Sequence, residues 1–124
     1  MPKKILVIDD EELIIKSLAK LLEKTGFEVF VAKNGIDALA MVEDEHFDLV
    51  IADIRMPGMN GVEIMESVYE LSKNKGESPV PAIFITGYAD EEIEKKAKIL
   101  NPVAYIYKPF DISELVGKVK EALR

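Results

Sequence analysis

The sequence predicts an α/β protein built on one parallel sheet. Five short runs rich in Val, Ile, Phe and Tyr recur along the chain, helix-period segments separate them, and the runs are apolar throughout instead of alternating with polar residues. Strands of that kind are covered on both faces, and strict β-α order calls for right-handed crossovers between parallel neighbours.

The strand candidates in order are KILVID (residues 4–9), EVFVA (28–32), DLVIAD (48–53), PAIFIT (81–86) and VAYIY (103–107). After the first, Ile14, Leu18, Leu21 and Leu22 share a helical face, and Gly26 stands where that helix should stop. After the third, Ile64, Met65, Val68, Leu71 and Ser72 form a second face. Ile112, Leu115, Val116, Val119 and Leu123 form the clearest stripe, at the end of the chain. Asn60 with Glu63, and Asp111 with Glu114, have capping-box spacing. The segment ADEEIEKKAKIL, closed by Asn101, offers only Ile93, Ala97 and Leu100 to a core, so it should be the most weakly anchored helix. KNKGESPVP (73–81) reads as a long surface loop.

Composition narrows the class. A chain of 124 residues that is 48% hydrophobic fits a single domain, taken as 1–124. Its 23 acidic and 16 basic residues give a formal net charge of -7, which argues against direct contact with nucleic acid or an anionic membrane surface. The chain has no cysteine, so neither a disulfide framework nor a thiolate zinc site is available. The apolar run from Ile5 to Ile8 is too short for a signal or membrane segment, and a cytoplasmic location is expected.

Ligands of open parallel sheets bind beyond the carboxyl ends of the strands. Those ends carry Asp9 and Asp10, Asp53, Thr86 and Lys108, and the opposite ends carry no comparable cluster. Singly, each has an ordinary explanation: a helix cap, a turn residue, a strand residue, a surface charge. Together they do not, because three crowded carboxylates repel unless a cation joins them. Oxygen ligands alone favour Mg²⁺, which keeps several waters and so leaves room for phosphate oxygens. Lys108 and Thr86 would then neutralise and hydrogen-bond a phosphoryl group, with Asp53 as the nucleophile.

VIDDEE, DIRMPGMNG, ITG and YIYKPF, in that order and over the whole chain, resemble the receiver domain of two-component response regulators. The resemblance implies a flavodoxin-like doubly wound sheet of order 2-1-3-4-5. It implies Asp53 as phosphoacceptor, Asp9, Asp10 and the backbone carbonyl of Arg55 around Mg²⁺ (Mn²⁺ as substitute), and Thr86 and Lys108 on the phosphoryl group. It further implies a cis bond before Pro109, Tyr105 as an aromatic switch paired with Thr86, and Arg55 and Tyr88 as positions that tune phosphoryl lifetime. The donor would be a sensor histidine kinase or a histidine phosphotransfer protein. Such a domain is not an enzyme beyond its own phosphorylation and dephosphorylation, and it signals to a partner or output domain through the face of its fourth helix, fifth strand and fifth helix. Val103 and Ala104 stand where one dimerising subgroup carries acids, so that dimer is not expected.

Three other readings compete. An aspartyl-phosphate hydrolase of the haloacid dehalogenase type needs a proton donor where Arg55 stands, and a guanidinium cannot serve. A flavin-binding protein would find its phosphate repelled by the acids from Asp9 to Glu12. A receiver-like module that binds a partner without being phosphorylated is the third, and no residue favours it. His46, the single histidine, reads as a solvated loop residue.

Overall fold

The computed structural model describes residues 2–87 and 89–123. The elements run β1 (Lys4–Ile8), α1 (Glu12–Lys24), β2 (Glu28–Ala32), α2 (Gly35–Asp44), β3 (Leu49–Asp53), α3 (Gly61–Asn74), β4 (Ala82–Thr86), α4 (Glu91–Ile99), β5 (Ala104–Tyr107) and α5 (Ile112–Ala122). All neighbouring strands pair in parallel, in the order β2-β1-β3-β4-β5.

Side chains of successive strand residues point to opposite faces, and the two cores follow that alternation. Leu6, Ile8, Val50, Ala52, Ala82 and Phe84 pack against α2, α3 and α4, through Ala38, Val62, Ile64, Met65, Val68 and Ala97. Ile5, Val7, Leu49, Ile51, Ile83 and Ile85 pack against α1 and α5, through Leu18, Leu22, Leu115, Val116 and Val119. Burial on both faces is why β1, β3 and β4 read as unbroken apolar runs.

The local signals are mostly as the sequence has them. Asn60 and Glu63 form a reciprocal capping box at α3. Asp111 caps α5 through the N–H of Ser113, and Glu114 does not complete a box there. Helix α1 ends as predicted, with Gly26 at φ 105° and the Phe27 N–H donating to the Leu22 carbonyl. Its core stripe is Ile15, Leu18 and Leu22, and Ile14 is only half-buried. Two residues of the expected loop, Lys73 and Asn74, belong to α3, because the helix stop is Gly76 at φ 72°. Helix α4 fully buries only Ala97, with Ile93 and Leu100 half-buried.

Candidate functional site

With the order β2-β1-β3-β4-β5, the connections leaving β1 and β3 run to opposite sides, and a crevice opens between the carboxyl ends of those two strands. Asp9, one residue past β1, is held by its own N–H to the Ala32 carbonyl. Asp53 closes β3, in register with Ile85, so Thr86 is the next residue along the adjacent strand. The N–H of Lys108 donates to the Thr86 carbonyl at 2.7 Å, which brings the loop after β5 alongside the same edge. The Lys108-Pro109 bond is cis.

Gly61 explains the loop after Asp53. Its N–H donates to the Ile54 carbonyl, and a Cβ at this position would lie 2.4 Å from the Asp53 carbonyl oxygen. Only glycine lets the start of α3 press so closely against the end of β3. The sequence break after the strand is thus the means by which Asp53 is fixed.

Asp9, Asp53 and Thr86 are the buried polar side chains among the described residues. The carboxylates of Asp9, Asp10 and Asp53 offer oxygens within 4.8 Å of one another, with Asp10 exposed. The Lys108 ammonium lies 3.3 Å from Asp53 Oδ2, 4.0 Å from Asp9 Oδ2 and 2.5 Å from Glu11 Oε1. Asp9 Oδ1 accepts the Glu11 N–H at 2.9 Å, and Asp53 Oδ1 accepts the Arg55 N–H at 3.4 Å.

Burial dominates the electrostatics. It raises the Asp9 carboxyl to about 6, against the Glu11 N–H that lowers it, with the nearby Asp53 charge adding to the rise. Asp53 is likewise raised by burial, and the Lys108 charge and hydrogen bond only partly offset this. For Lys108 burial is again the largest single influence and disfavours the ammonium, but Glu11, Asp53 and Asp9 together outweigh it and the net shift is upward. Lys108 therefore stays charged.

Asp9 Oδ2 is buried without a hydrogen-bond partner among the described residues, an arrangement that costs free energy unless a cation meets it. A buried oxygen with no hydrogen-bond donor, two more carboxylates within reach and, among the described residues, no sulfur or imidazole donor beside them fit a hard divalent ion such as Mg²⁺.

Thus Asp9, Asp10, Asp53 and Lys108 converge, with Thr86 at the adjoining strand end. Asp9 and Asp10 do not cap α1, whose N-cap is Glu11. Arg55 is exposed, next to the site. Tyr88 lies outside the described residues. Tyr105 is half-buried, its ring 6.4 Å from that of Phe84 and 5.5 Å from that of Tyr107, and with Thr86, Ile54, Ala89 and Ile93 it lines an open cavity between β5 and α4.

Two contacts were not foreseen: Glu11 on Lys108, and the Tyr107 hydroxyl donating to Glu94 of α4. His46 is exposed at the opposite edge, 3.7 Å from Asp48 and 3.5 Å from Glu77. At that edge Lys4 pairs with Glu45 at 2.6 Å, and no cluster comparable to the three acids is found there among the described residues.

The model of the response regulator receiver domain matches residues 5–120. The chain belongs to the response regulator receiver domain family. Sporulation initiation phosphotransferase F of Bacillus subtilis is 35% identical to it over 123 residues, covering 99% of this chain and 95% of that protein. Transcriptional regulatory protein CrdR of Helicobacter pylori is 37% identical over 120 residues, covering 97% of this receiver domain but 54% of the relative. Among solved structures, a CheY-like receiver domain protein from Methanospirillum hungatei superimposes with a TM-score of 0.88 at 36% identity, covering 99% of this chain and 94% of that one. Receiver domains are signalling switches of two-component systems, they bind Mg²⁺ through an acidic cluster, and they work with histidine kinases and output domains. Among the described residues no helix is long and apolar enough to cross a membrane.

Proposed function

We propose that residues 1–124 form one receiver domain, acting in the cytoplasm, that accepts a phosphoryl group on Asp53 from a phosphohistidine of a sensor kinase or phosphotransfer protein. The observation that carries this reading is the Lys108 ammonium 3.3 Å from Asp53 Oδ2, beside two further acids. A module that only bound partners would have no use for a buried Asp9 and Asp53 whose ionisation is costly.

Asp9, Asp10, Asp53 and the backbone carbonyl of Arg55 would hold Mg²⁺, or Mn²⁺ in its place. The ion supplies charge neutralisation for the phosphoryl oxygens. Asp53 attacks as the carboxylate. Lys108 neutralises charge spread over the transferring group, and the Thr86 hydroxyl donates to it. Asp53 itself is buried, which strengthens its contacts with charged groups.

Drawing the Thr86 hydroxyl toward the phosphoryl group favours an inward Tyr105, and with it a different surface over α4, β5 and α5. Helix α4 buries one residue fully, so a few kcal/mol from one or two charge-assisted hydrogen bonds suffices to move the balance. Arg55 and Tyr88 tune how long the phosphoryl group survives.

The test is incubation with Mg²⁺ and acetyl phosphate followed by intact mass. One phosphoryl adduct is expected, absent in Asp53→Asn and abolished by a chelator. An adduct formed without divalent metal would refute the reading. Continuous release of phosphate from varied monoesters would point instead to the hydrolase.

A further inference from the structure

We infer that Glu11 is a positioning residue that restrains phosphorylation by competing with the incoming phosphoryl group for the Lys108 ammonium. The inference rests on the reading of Asp53 as phosphoacceptor.

Three observations support it. Of the three carboxylates around Lys108 Nζ, Glu11 is the nearest, at 2.5 Å against 3.3 Å for Asp53 and 4.0 Å for Asp9. Glu11 is also the N-cap residue of α1, yet its side chain makes no capping hydrogen bond, which leaves its carboxylate free for Lys108. Its side chain is 53% exposed while that of Lys108 is 17% exposed, so Glu11 can swing into water when the ammonium turns to another anion.

In the transfer, the Asp53 Oδ–P bond forms as the P–O bond to the donor's acyl oxygen breaks, and acetate leaves with the electron pair. No external proton or redox equivalent enters. Lys108 must meet the phosphoryl oxygens during that step, and to do so it gives up or shares its contact with Glu11. The cost falls on formation of the acyl phosphate. Hydrolysis starts and passes its barrier with Lys108 already on the phosphoryl group, so Glu11 has little leverage there.

Replacing Glu11 by Gln keeps the shape and removes the charge. With Mg²⁺ and acetyl phosphate, Glu11→Gln should form the adduct roughly fivefold faster than the wild type, the factor that corresponds to an ion pair of about 1 kcal/mol. Its decay after donor removal should stay within about twofold. Phosphoramidate, which carries less negative charge and loses ammonia as its leaving group, should show the same gain. Direct repulsion of the donor by Glu11 would instead give a clearly larger gain with acetyl phosphate than with phosphoramidate, and that result overturns the inference. So do equal formation rates, slower formation in the variant, or matched changes in formation and decay. If the wild type takes up no phosphoryl group on Asp53 from either donor, it is the reading of the site that fails.

Discussion

Replacing Asp9 by Asn should stabilise the metal-free protein, although it removes a residue proposed to hold Mg²⁺. Asp9 is fully buried, one of its oxygens has no hydrogen-bond partner among the described residues, and burial raises its carboxyl from 3.8 to about 6. A folded-state pKa above the unfolded value means the folded chain binds this proton more tightly. Stability is therefore full below about pH 4 and is lost as pH rises through 6. At about 1.4 kcal/mol per pH unit, the full loss is about 3 kcal/mol. Asn keeps an acceptor for the Glu11 N–H and never ionises. At pH 8 in a chelator, Asp9→Asn should be more stable by about 3 kcal/mol, or roughly 10 °C in Tm. The gain should vanish near pH 4. Saturating Mg²⁺ should stabilise the wild type by about 2 to 4 kcal/mol and close the gap, leaving the variant unchanged. Urea denaturation at both pH values, with and without Mg²⁺, measures all of this. A variant that is less stable at pH 8 in chelator, or whose gain is the same at pH 4, would refute the argument that Asp9 is a buried charge awaiting a cation.

Gly61→Ala should lower stability by about 1 to 3 kcal/mol and weaken Mg²⁺ binding, because its Cβ must displace the Asp53 backbone. Gly117→Ala, in the open middle of α5, should instead raise stability by about 0.5 to 1 kcal/mol, and calorimetry of the pair separates packing from helix propensity. Arg55→Ala and Tyr88→Ala should change the decay rate of the phosphoryl adduct more than its formation, and decay equal to wild type in both would count against the tuning role.

The acids and the lysine were legible because their places follow from periodicity alone. Once DLVIAD is a buried strand, Asp53 must fall at its end, and parallel order puts every such end on one edge. The partner of Glu11 was not legible, since Lys108 lies 97 residues away and no local pattern links an N-cap glutamate to a distant ammonium. Nor was Tyr107 on Glu94, which depends on how β5 meets α4. The end of α3 does carry a signal in the sequence. Gly76 closes it as Gly26 closes α1, with Glu77 donating to the Ser72 carbonyl. The Asp111–Glu114 spacing allowed a reciprocal cap, but only the Asp111 half forms. The buried face of α1 runs through Ile15 and not Ile14, and neighbouring apolar residues at the start of a helix leave the rotation of the stripe open.

The central claim is that Asp53, and no neighbouring acid, becomes the acyl phosphate. Reduction of the adduct with borohydride converts a phosphorylated aspartate to homoserine, and peptide mapping then reads its position. Homoserine at residue 53 alone is the expected result. Homoserine at residue 9 or 10, or at several acids in similar amounts, would contradict the assignment.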